Sequence, residues 1–243
     1  MTTITKKNET FLKVEAEPHL HKELSEHFQF EVPGAKYMPA VKRKYWDGKI
    51  RLYSPGTGEI YVGLYDYLTD YLEEHGYNYE VLEDKYFGRP NEVEEYVTPE
   101  GTAAFIRALR IPFKARDYQL KGIYSAIKFR RKLLLSPTGS GKSLIIYALV
   151  RWHLLKKREI LIIVPTVSLV EQLYKDFIEY GWDVRDVHKI MGGVEKYTDQ
   201  PVVISTWQSI YKEPKKFFER FDVIIGDEAH QYKAKSLTGI LTK

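Results

Sequence analysis

The sequence lacks cysteine, has no long apolar run and carries almost no excess of charge of either sign. Without cysteine the chain can form no disulfide, no thiolate-bound zinc site and no thiol nucleophile, and we expect an intracellular protein. No run of about 18 apolar residues occurs, and the start Met1–Lys7 is polar overall, so we expect neither membrane insertion nor secretion. The net charge of +4, from 37 basic and 33 acidic residues, permits a nucleic-acid partner without requiring one.

Apolar residues make up 44% of the sequence, which is enough for a core. The sequence divides into two regions that differ in the spacing of their apolar residues. A polar, acidic stretch with glycine and proline at 88–95 marks the boundary between them. Thr98 and Pro99 then resemble a helix start, with the helix continuing to about Leu109. The predicted organisation is a small α+β domain at 1–87, a linker and connector helix at 88–112, and a larger domain at 113–243.

The first region alternates short apolar patterns of period two with helical spacing of period four. Leu20, Leu24 and Phe28 give one apolar face to a short helix, and Gly76 suits the end of a second helix. The predicted elements are a strand at 11–16, the helix through 20–28, strands at 49–53 and 60–64 around a turn at 55–58, a helix at 66–75 and a strand at 77–82.

From Ile111 onward the units are longer, and strands alternate with helices. The run Ile160–Val164 is apolar throughout, which is typical of a strand buried on both faces. This alternation predicts a doubly wound parallel sheet. The predicted elements are strands at 133–135, 160–164, 202–204 and 223–225, with helices at 143–155 and 167–180.

The tract Ser136–Ser143 has the pattern of a phosphate-binding loop that opens a helix. Its glycines let backbone N–H groups converge on phosphate oxygens, Lys142 would reach the terminal phosphates, and the Ser143 hydroxyl would bind Mg²⁺. The strict pattern begins with glycine, and serine stands there at position 136, where its side chain could hydrogen-bond within the loop. The predicted nucleotide-binding residues of the tract are Pro137, Thr138, Gly139, Ser140, Gly141, Lys142 and Ser143.

A second acidic tract, Asp227-Glu228-Ala229-His230, follows the apolar run Val223–Ile225. Such a run places carboxylates at the carboxyl end of a strand, where α/β sheets bind ligands. Asp227 would hold Mg²⁺, and Glu228 would orient or deprotonate the attacking water. For His230, a capping or core role is as plausible on chemical grounds as a coupling role in catalysis.

Together these tracts resemble superfamily 2 helicases of the DEAH-box-like type, over about 113–243. The resemblance implies a RecA-like P-loop domain. In its Q motif Arg116 and Gln119 would contact the nucleotide, Gln119 at the adenine edge. It further implies a nucleic-acid backbone contact in motif Ia, at Pro165 and Thr166. Further strand contacts are implied at Gly192, Gly193 and Thr206.

The chain also resembles phage recombination and branch-migration helicases of the UvsW type, and that resemblance extends to 36–39 and 45–52 in the front region. It implies that the small front domain engages branched DNA and that the protein works in the host cytoplasm. The family also has a motif III and a second RecA-like domain with arginine fingers, neither of which occurs before Lys243. We therefore expect this chain by itself to be a monomer that binds nucleotide weakly and hydrolyses it very slowly.

The stretch from position 36 to 51 is rich in cations and aromatic rings and has one acid, Asp47. Cations bind phosphates, and aromatic rings can stack on bases. A solvated loop between two strands, with Trp46 as a core anchor, explains the same pattern. The candidate DNA-binding residues are Lys36, Lys42, Arg43, Lys44, Trp46, Lys49 and Arg51, with Tyr37 and Tyr45 interleaved.

The predicted function is an ATP- and Mg²⁺-dependent DNA helicase or translocase that acts on branched or forked DNA with single-stranded regions. Three alternatives stay open from the sequence. They are an RNA helicase, a translocase subunit of a restriction complex and a non-catalytic nucleic-acid-binding module.

Overall fold

A computed structural model of the chain describes residues 1–137 and 139–228 and groups them into two units. The first unit is Met1–Glu92, and the second begins at Val93. The strands of the first unit are β1 (Thr2–Lys6), β2 (Phe11–Glu15), β3 (Gln29–Glu31), β4 (Lys49–Arg51), β5 (Tyr53–Ser54), β6 (Glu59–Tyr61) and β7 (Tyr79–Leu82). Its helices are α1 (Pro18–His27), α2 (Pro39–Lys42) and α3 (Tyr65–Glu74).

Five of these strands form one sheet in the order β5-β6-β2-β1-β7. Alternate residues such as Ile4, Leu12 and Val14 are fully buried and pack against apolar residues of α1 and α3, among them Leu24 and Leu68. The predicted helices and the strands at 11–16 and 77–82 are confirmed within two residues. Strand β1 was not predicted, since its threonines disguise an alternating strand that pairs in parallel with β7, far along the sequence.

The predicted single strand at 49–53 is wrong, because it divides between two sheets. Its first part, β4, pairs with β3 as a separate two-stranded ribbon in which Phe30 lies opposite Ile50. Its second part, β5, joins the main sheet beside β6. The predicted strand at 60–64 likewise ends at Tyr61 and continues as a 3₁₀ turn. We call residues 29–51, with the ribbon and α2, the front arm.

The second unit contains a four-stranded, entirely parallel sheet in the order β11-β8-β10-β9. Its strands are β8 (Ile160–Val164), β9 (Val187–Ile190), β10 (Val202–Thr206) and β11 (Val223–Gly226). Its helices are α4 (Pro99–Ala108), α5 (Asp117–Lys128), α6 (Lys142–Leu155), α7 (Val167–Glu179), α8 (Trp207–Ile210) and α9 (Lys215–Phe218). The Thr98 side chain caps α4 by accepting a hydrogen bond from the Gly101 N–H, 3.0 Å away, as its sequence predicted.

Both faces of this sheet are covered, as the apolar run at 160–164 predicted. Ile160, Ile162 and Val164 pack with α6 and α7, whereas Leu161 and Ile163 pack on the opposite face with α8 and α9. Helices separate β8 from β9 and β10 from β11, as expected for a doubly wound fold, whereas β9 and β10 follow each other without a helix between them. Of the helices in the described part of the chain, none is long and apolar enough to cross a membrane.

The predicted strand at 133–135 is wrong in the described structure, where these residues belong to no sheet. Leu133 and Leu135 are 69% and 92% exposed, and only Leu134 packs against the α5–α6 core. The run is three residues long and is followed by Pro137, which has no N–H to donate to a strand ladder. The phosphate-loop tract is therefore positioned by α5 and α6 rather than by a preceding strand.

His153, in the last turn of α6, makes the stability of the second unit depend on pH. Burial, and after it the Arg158 charge, lowers the pKa of His153 from 6.5 to about 4, and Arg158 donates a hydrogen bond of 3.1 Å to its Nδ1. Between these two pKa values His153 binds a proton in the unfolded chain but not in the folded one. The free energy of unfolding therefore decreases as the pH falls from 6.5 through 4. The loss is roughly 2 kcal/mol after allowance for partial exposure.

We expect His153→Gln to remove most of this dependence while changing stability little at pH 7.5. Urea unfolding at pH 7.5 and 4.5, followed by tryptophan fluorescence, measures it, since Trp152, Trp182 and Trp207 all lie in the second unit. His19→Gln, at a histidine whose side chain is 56% exposed, is the control. An equal loss of stability at low pH in wild type and His153→Gln would contradict the prediction.

Candidate nucleotide and nucleic-acid binding site

The carboxyl ends of the four parallel strands bring the predicted site segments to one edge of the sheet. In spatial order, Asp227 follows β11, Pro165 follows β8, Thr206 ends β10 and Gly192 follows β9. The parallel register aligns Gly226 with Ile163 and Thr206 with Val164, so these segments begin at the same level. Segments from positions 165 to 227 therefore meet at the edge where α/β sheets bind ligands.

The phosphate-loop tract has the backbone that its glycines predict. Gly139 and Gly141 have φ of +76° and +74°, and Gly141 is the N-cap of α6. The Ser136 and Ser140 hydroxyls lie 2.5 Å apart, so the serine that replaces the usual first glycine does hydrogen-bond within the loop. Lys142 is the first residue of α6, where the helix dipole favours bound anions.

Gln119 ties the start of α5 to this tract. Its Oε1 accepts from the Arg116 N–H at 2.8 Å, and its Nε2 donates to the Ser140 and Gly141 carbonyls at 3.0 and 3.3 Å. The residue is 5% exposed. Tyr118 adds a bond from its hydroxyl to the Ser140 carbonyl, 2.8 Å, and itself accepts from the Arg116 guanidinium. Both Nε2 hydrogens are thus used within the protein, so an adenine contact through Nε2 requires that one of these bonds be exchanged.

Gly141 is required by this packing as well as by its backbone. A Cβ added there would lie 2.5 Å from the Gln119 Nε2. That distance is far below van der Waals contact, so any larger residue would push the Gln119 amide away from the loop.

Lys142 and Glu228 meet across the site. The Lys142 Nζ donates to the Glu228 Oε1 at 2.5 Å, and each side chain is about one quarter exposed. Asp227 is oriented by two backbone bonds, from its N–H to the Ile163 carbonyl and from the Glu228 N–H to its own Oδ1, both 2.9 Å. Glu228 has φ of +52°, an uncommon conformation for a residue other than glycine. The two tracts that the sequence separates by 85 residues form one polar cluster.

Ser143 has a partner that the sequence did not predict. Its hydroxyl lies 2.8 Å from the Tyr180 hydroxyl, just after α7. Burial raises the pKa of Tyr180 above its usual value, so this phenol stays protonated near neutral pH. Tyr118 and Tyr180 were both missed, because nothing distinguishes them in the sequence from the other tyrosines among the 19.

The predicted strand-contact residues differ in accessibility. Thr166 is exposed, and its Oγ1 accepts from the Leu169 N–H at 3.3 Å, while Pro165 is buried beneath it. Gly192 and Gly193 are exposed in a turn. Thr206, by contrast, is 3% exposed and its hydroxyl lies 2.9 Å from that of Ser209, so its side chain does not face a strand at the surface as predicted.

The front arm presents most of its predicted cations to solvent. Lys36, Lys42, Arg43 and Lys44 are exposed. The other predicted residues are used within the arm: the Trp46 indole donates to the Lys49 carbonyl at 2.9 Å, and Arg51 pairs with Asp47 at 2.5 Å. That guanidinium bond holds the pKa of Asp47 below its usual value.

Trp46 is therefore an anchor within the arm, which favours its structural interpretation over base stacking. Two of the predicted site residues, Thr138 and His230, lie outside the described residues.

Two family models match the chain. The model described as type III restriction enzyme, res subunit, covers residues 112–243, and the one described as DNA helicase UvsW, N-terminal, covers 4–82. Among curated proteins, the chain is 31% identical over 238 residues to the ATP-dependent DNA helicase UvsW of Enterobacteria phage T4. That alignment covers 95% of this chain and 47% of the relative. The DNA 3'-5' translocase XPB2 of Sulfurisphaera tokodaii is 30% identical over 115 residues, which is 47% of this chain and 25% of the relative.

The crystal structure of the UvsW helicase from bacteriophage T4 superposes with a TM-score of 0.85 at 29% identity. It covers 99% of this chain and 87% of that one, so the parallel-sheet unit has the RecA-like helicase fold. The chain spans about half the length of the T4 relative. The family model described as type III restriction enzyme, res subunit, by itself covers more than half of the chain. The chain therefore belongs to this family of superfamily 2 helicases.

Proposed function

We propose that this chain is the amino-terminal part of an ATP-dependent DNA helicase or translocase that acts on branched DNA. The observation that supports this most is the contact between Lys142 and Glu228, which joins the phosphate-binding tract to the acidic tract. A lysine at a helix start, beside a carboxylate that follows a strand of the parallel sheet, is an arrangement that suits phosphoryl transfer to water. The names of the T4 and Sulfurisphaera relatives add DNA as the partner.

In this proposal the N–H groups around Gly139 and the start of α6 bind the nucleotide phosphates. Lys142 leaves Glu228 and moves to the terminal phosphates, whose negative charge is greater. Glu228 then has a free carboxylate that can orient or deprotonate the attacking water. The ion pair between Lys142 and Glu228 thus keeps both groups beside the place where they act.

The residues present suit Mg²⁺, which prefers oxygen ligands. Asp227 offers a carboxylate and Ser143 a hydroxyl, each within one residue of the Lys142–Glu228 contact. Asp227 is already oriented by the bonds to Ile163 and Glu228. Mg²⁺ bound with the nucleotide would neutralise phosphate charge as it develops.

Nucleic acid would pass over the loops that follow β8, β9 and β10. Thr166 and Gly193 are exposed there, at the edge that also holds Asp227. The Gln208 side chain donates to the Pro165 carbonyl at 3.5 Å, which links two of these loops. A movement of the residues beside the nucleotide can therefore be transmitted, through adjacent parallel strands, to the loops that would contact the nucleic acid.

The front arm would bind the branched part of the substrate. Its exposed lysines and Arg43 lie near exposed rings, with Tyr37 at 69% and Tyr45 at 83% exposure. The Lys36 ammonium lies 5.0 Å from the centre of the Tyr37 ring. Such a combination binds phosphates and can stack on unpaired bases. The match of this region to the model described as DNA helicase UvsW, N-terminal, supports DNA as its partner, and branched DNA is what the resemblance to that group of helicases implies.

Exchange of the three adjacent cations of the arm tests this assignment. We expect Lys42→Gln, Arg43→Gln and Lys44→Gln together to weaken binding to forked DNA and to lower the slope of log affinity against log salt by about 2 to 3. The control changes three exposed cations elsewhere in the first unit, Lys22, Lys85 and Arg89, to glutamine. Fluorescence anisotropy with forked DNA, single-stranded DNA and duplex RNA at several salt concentrations measures the affinity and the salt slope of each variant.

A slope that stays at the wild-type value would remove the arm from the DNA-binding surface. Tighter binding of duplex RNA than of forked DNA would instead favour the RNA helicase alternative.

A further inference from the structure

A buried carboxylate in the second unit gathers cations from two separate segments. Glu94 is 8% exposed. Arg130 lies 3.1 Å from its carboxylate, Arg158 3.6 Å and Lys156 3.9 Å. The segment at 128–132, which begins with the last residue of α5, therefore meets the segment at 156–158, after α6. We name the cations of these two segments the basic edge: Lys128, Arg130, Arg131, Lys132, Lys156, Lys157 and Arg158.

The basic edge is a dense cluster of positive charge. Seven of the eight residues at 128–132 and 156–158 are cations, and both segments contact the Glu94 carboxylate. Glu159 is also near but is paired with Arg220. The two helix ends contribute about half a negative charge each. Seven cations far exceed this partial charge, so stabilisation of the helix ends does not account for the cluster.

The exposed members can reach a partner. Lys132 and Lys157 are exposed, and Lys157 adopts a φ of +55° just beyond the end of α6. The buried pairs with Glu94 fix the backbone of both segments, so binding would order few further residues. Tyr96, 59% exposed, lies under the Lys156 ammonium and adds a ring at the same place.

The basic edge lies far from the phosphate-loop tract. Helix α5 begins beside the phosphate-loop tract, through Gln119, and α6 begins within it at Lys142. Both helices, of 12 and 14 residues, then run to the basic edge. At 1.5 Å per residue this separates the two places by about 20 Å, roughly the width of a DNA duplex.

We propose that the basic edge is a second DNA-backbone surface, which holds another arm of a branched DNA while one strand lies on the loops after β8, β9 and β10. This inference rests on the proposed function, since it takes DNA as the partner. Its chemical basis is independent of that function, because closely spaced cations bind closely spaced phosphates without reading sequence. A protein with two such surfaces prefers a junction over a single strand, because only a junction can occupy both.

The test changes one exposed lysine from each segment, Lys132→Gln with Lys157→Gln. The control changes Lys175 and Lys216, two exposed lysines outside the basic edge, in the same way. We expect the test variant to bind forked DNA about tenfold more weakly than wild type at 0.1 M salt, with a salt slope lower by about 2. Binding to a short single strand, nucleotide binding and the unfolding temperature should stay at wild-type values.

If the test variant binds forked DNA with the affinity and salt slope of the control variant, the proposal is overturned. An acidic protein would then be the expected partner of the basic edge. An equal loss for forks and single strands would also overturn the proposal, since that indicates a general change in charge. If wild type binds no DNA, the proposed function fails as well. If wild type binds forks and the test variant binds them equally, only the basic edge is wrong.

Discussion

Lys142→Ala is expected to lower ATP turnover of the full-length protein at least about 100-fold while leaving nucleotide-free DNA binding unchanged. Lys142 opens α6 and is the cation that the structure places against the acidic tract. Its loss removes the charge that would bind the terminal phosphates and stabilise them as they transfer. The ion pair with Glu228 is partly exposed, so its removal costs at most about 1 kcal/mol of stability and does not unfold the protein.

The measurement is steady-state phosphate release with and without DNA, together with DNA binding in the absence of nucleotide. Lys175→Ala, an exposed lysine on α7, is the control for loss of a positive charge. Wild-type turnover in Lys142→Ala would show that the phosphate-binding tract is assigned wrongly. A parallel loss of DNA binding would point to a structural effect instead.

Glu228→Gln is expected to lower turnover by a factor of about 100 or more but to strengthen nucleotide binding several-fold. Glu228 holds the Lys142 ammonium at 2.5 Å, so the nucleotide phosphates have to compete with it for the lysine. A neutral amide of the same shape holds the lysine less strongly and cannot accept a proton from water. Lys142→Ala and Glu228→Gln should therefore both suppress turnover and change nucleotide affinity in opposite directions.

Isothermal titration with a non-hydrolysable ATP analogue and Mg²⁺, beside the turnover assay, separates the two effects. Weaker nucleotide binding in Glu228→Gln would mean that the ion pair prepares the site rather than competing with the phosphates. Undiminished turnover would remove Glu228 from the chemical step. Glu219→Gln serves as the control, because the Glu219 carboxylate is exposed to solvent and pairs only weakly with Lys215.

Most of the fold in the second unit could be predicted, because its signals are local. The apolar run at 160–164, the glycines of the phosphate loop and the Thr98 cap each act through neighbours within a few residues. The strand at 133–135 was predicted from the same kind of signal and was wrong, since an apolar run forms a strand only when a partner strand accepts its hydrogen bonds. Strand β1 was missed for the converse reason, because its parallel partner β7 lies more than seventy residues away.

The sequence by itself determined the chemistry of this protein. The kinds of residue at 136–143 and 227–228, and their order, predict a nucleotide phosphate site because few other side chains can bind phosphates and Mg²⁺ at those spacings. Only the tertiary structure decided which of these groups meet. It places Lys142 on Glu228 and Gln119 on the phosphate loop, buries the Thr206 hydroxyl and gathers the basic edge around Glu94. These contacts join residues that are distant in sequence, and they depend on how helices and strands pack rather than on any local pattern.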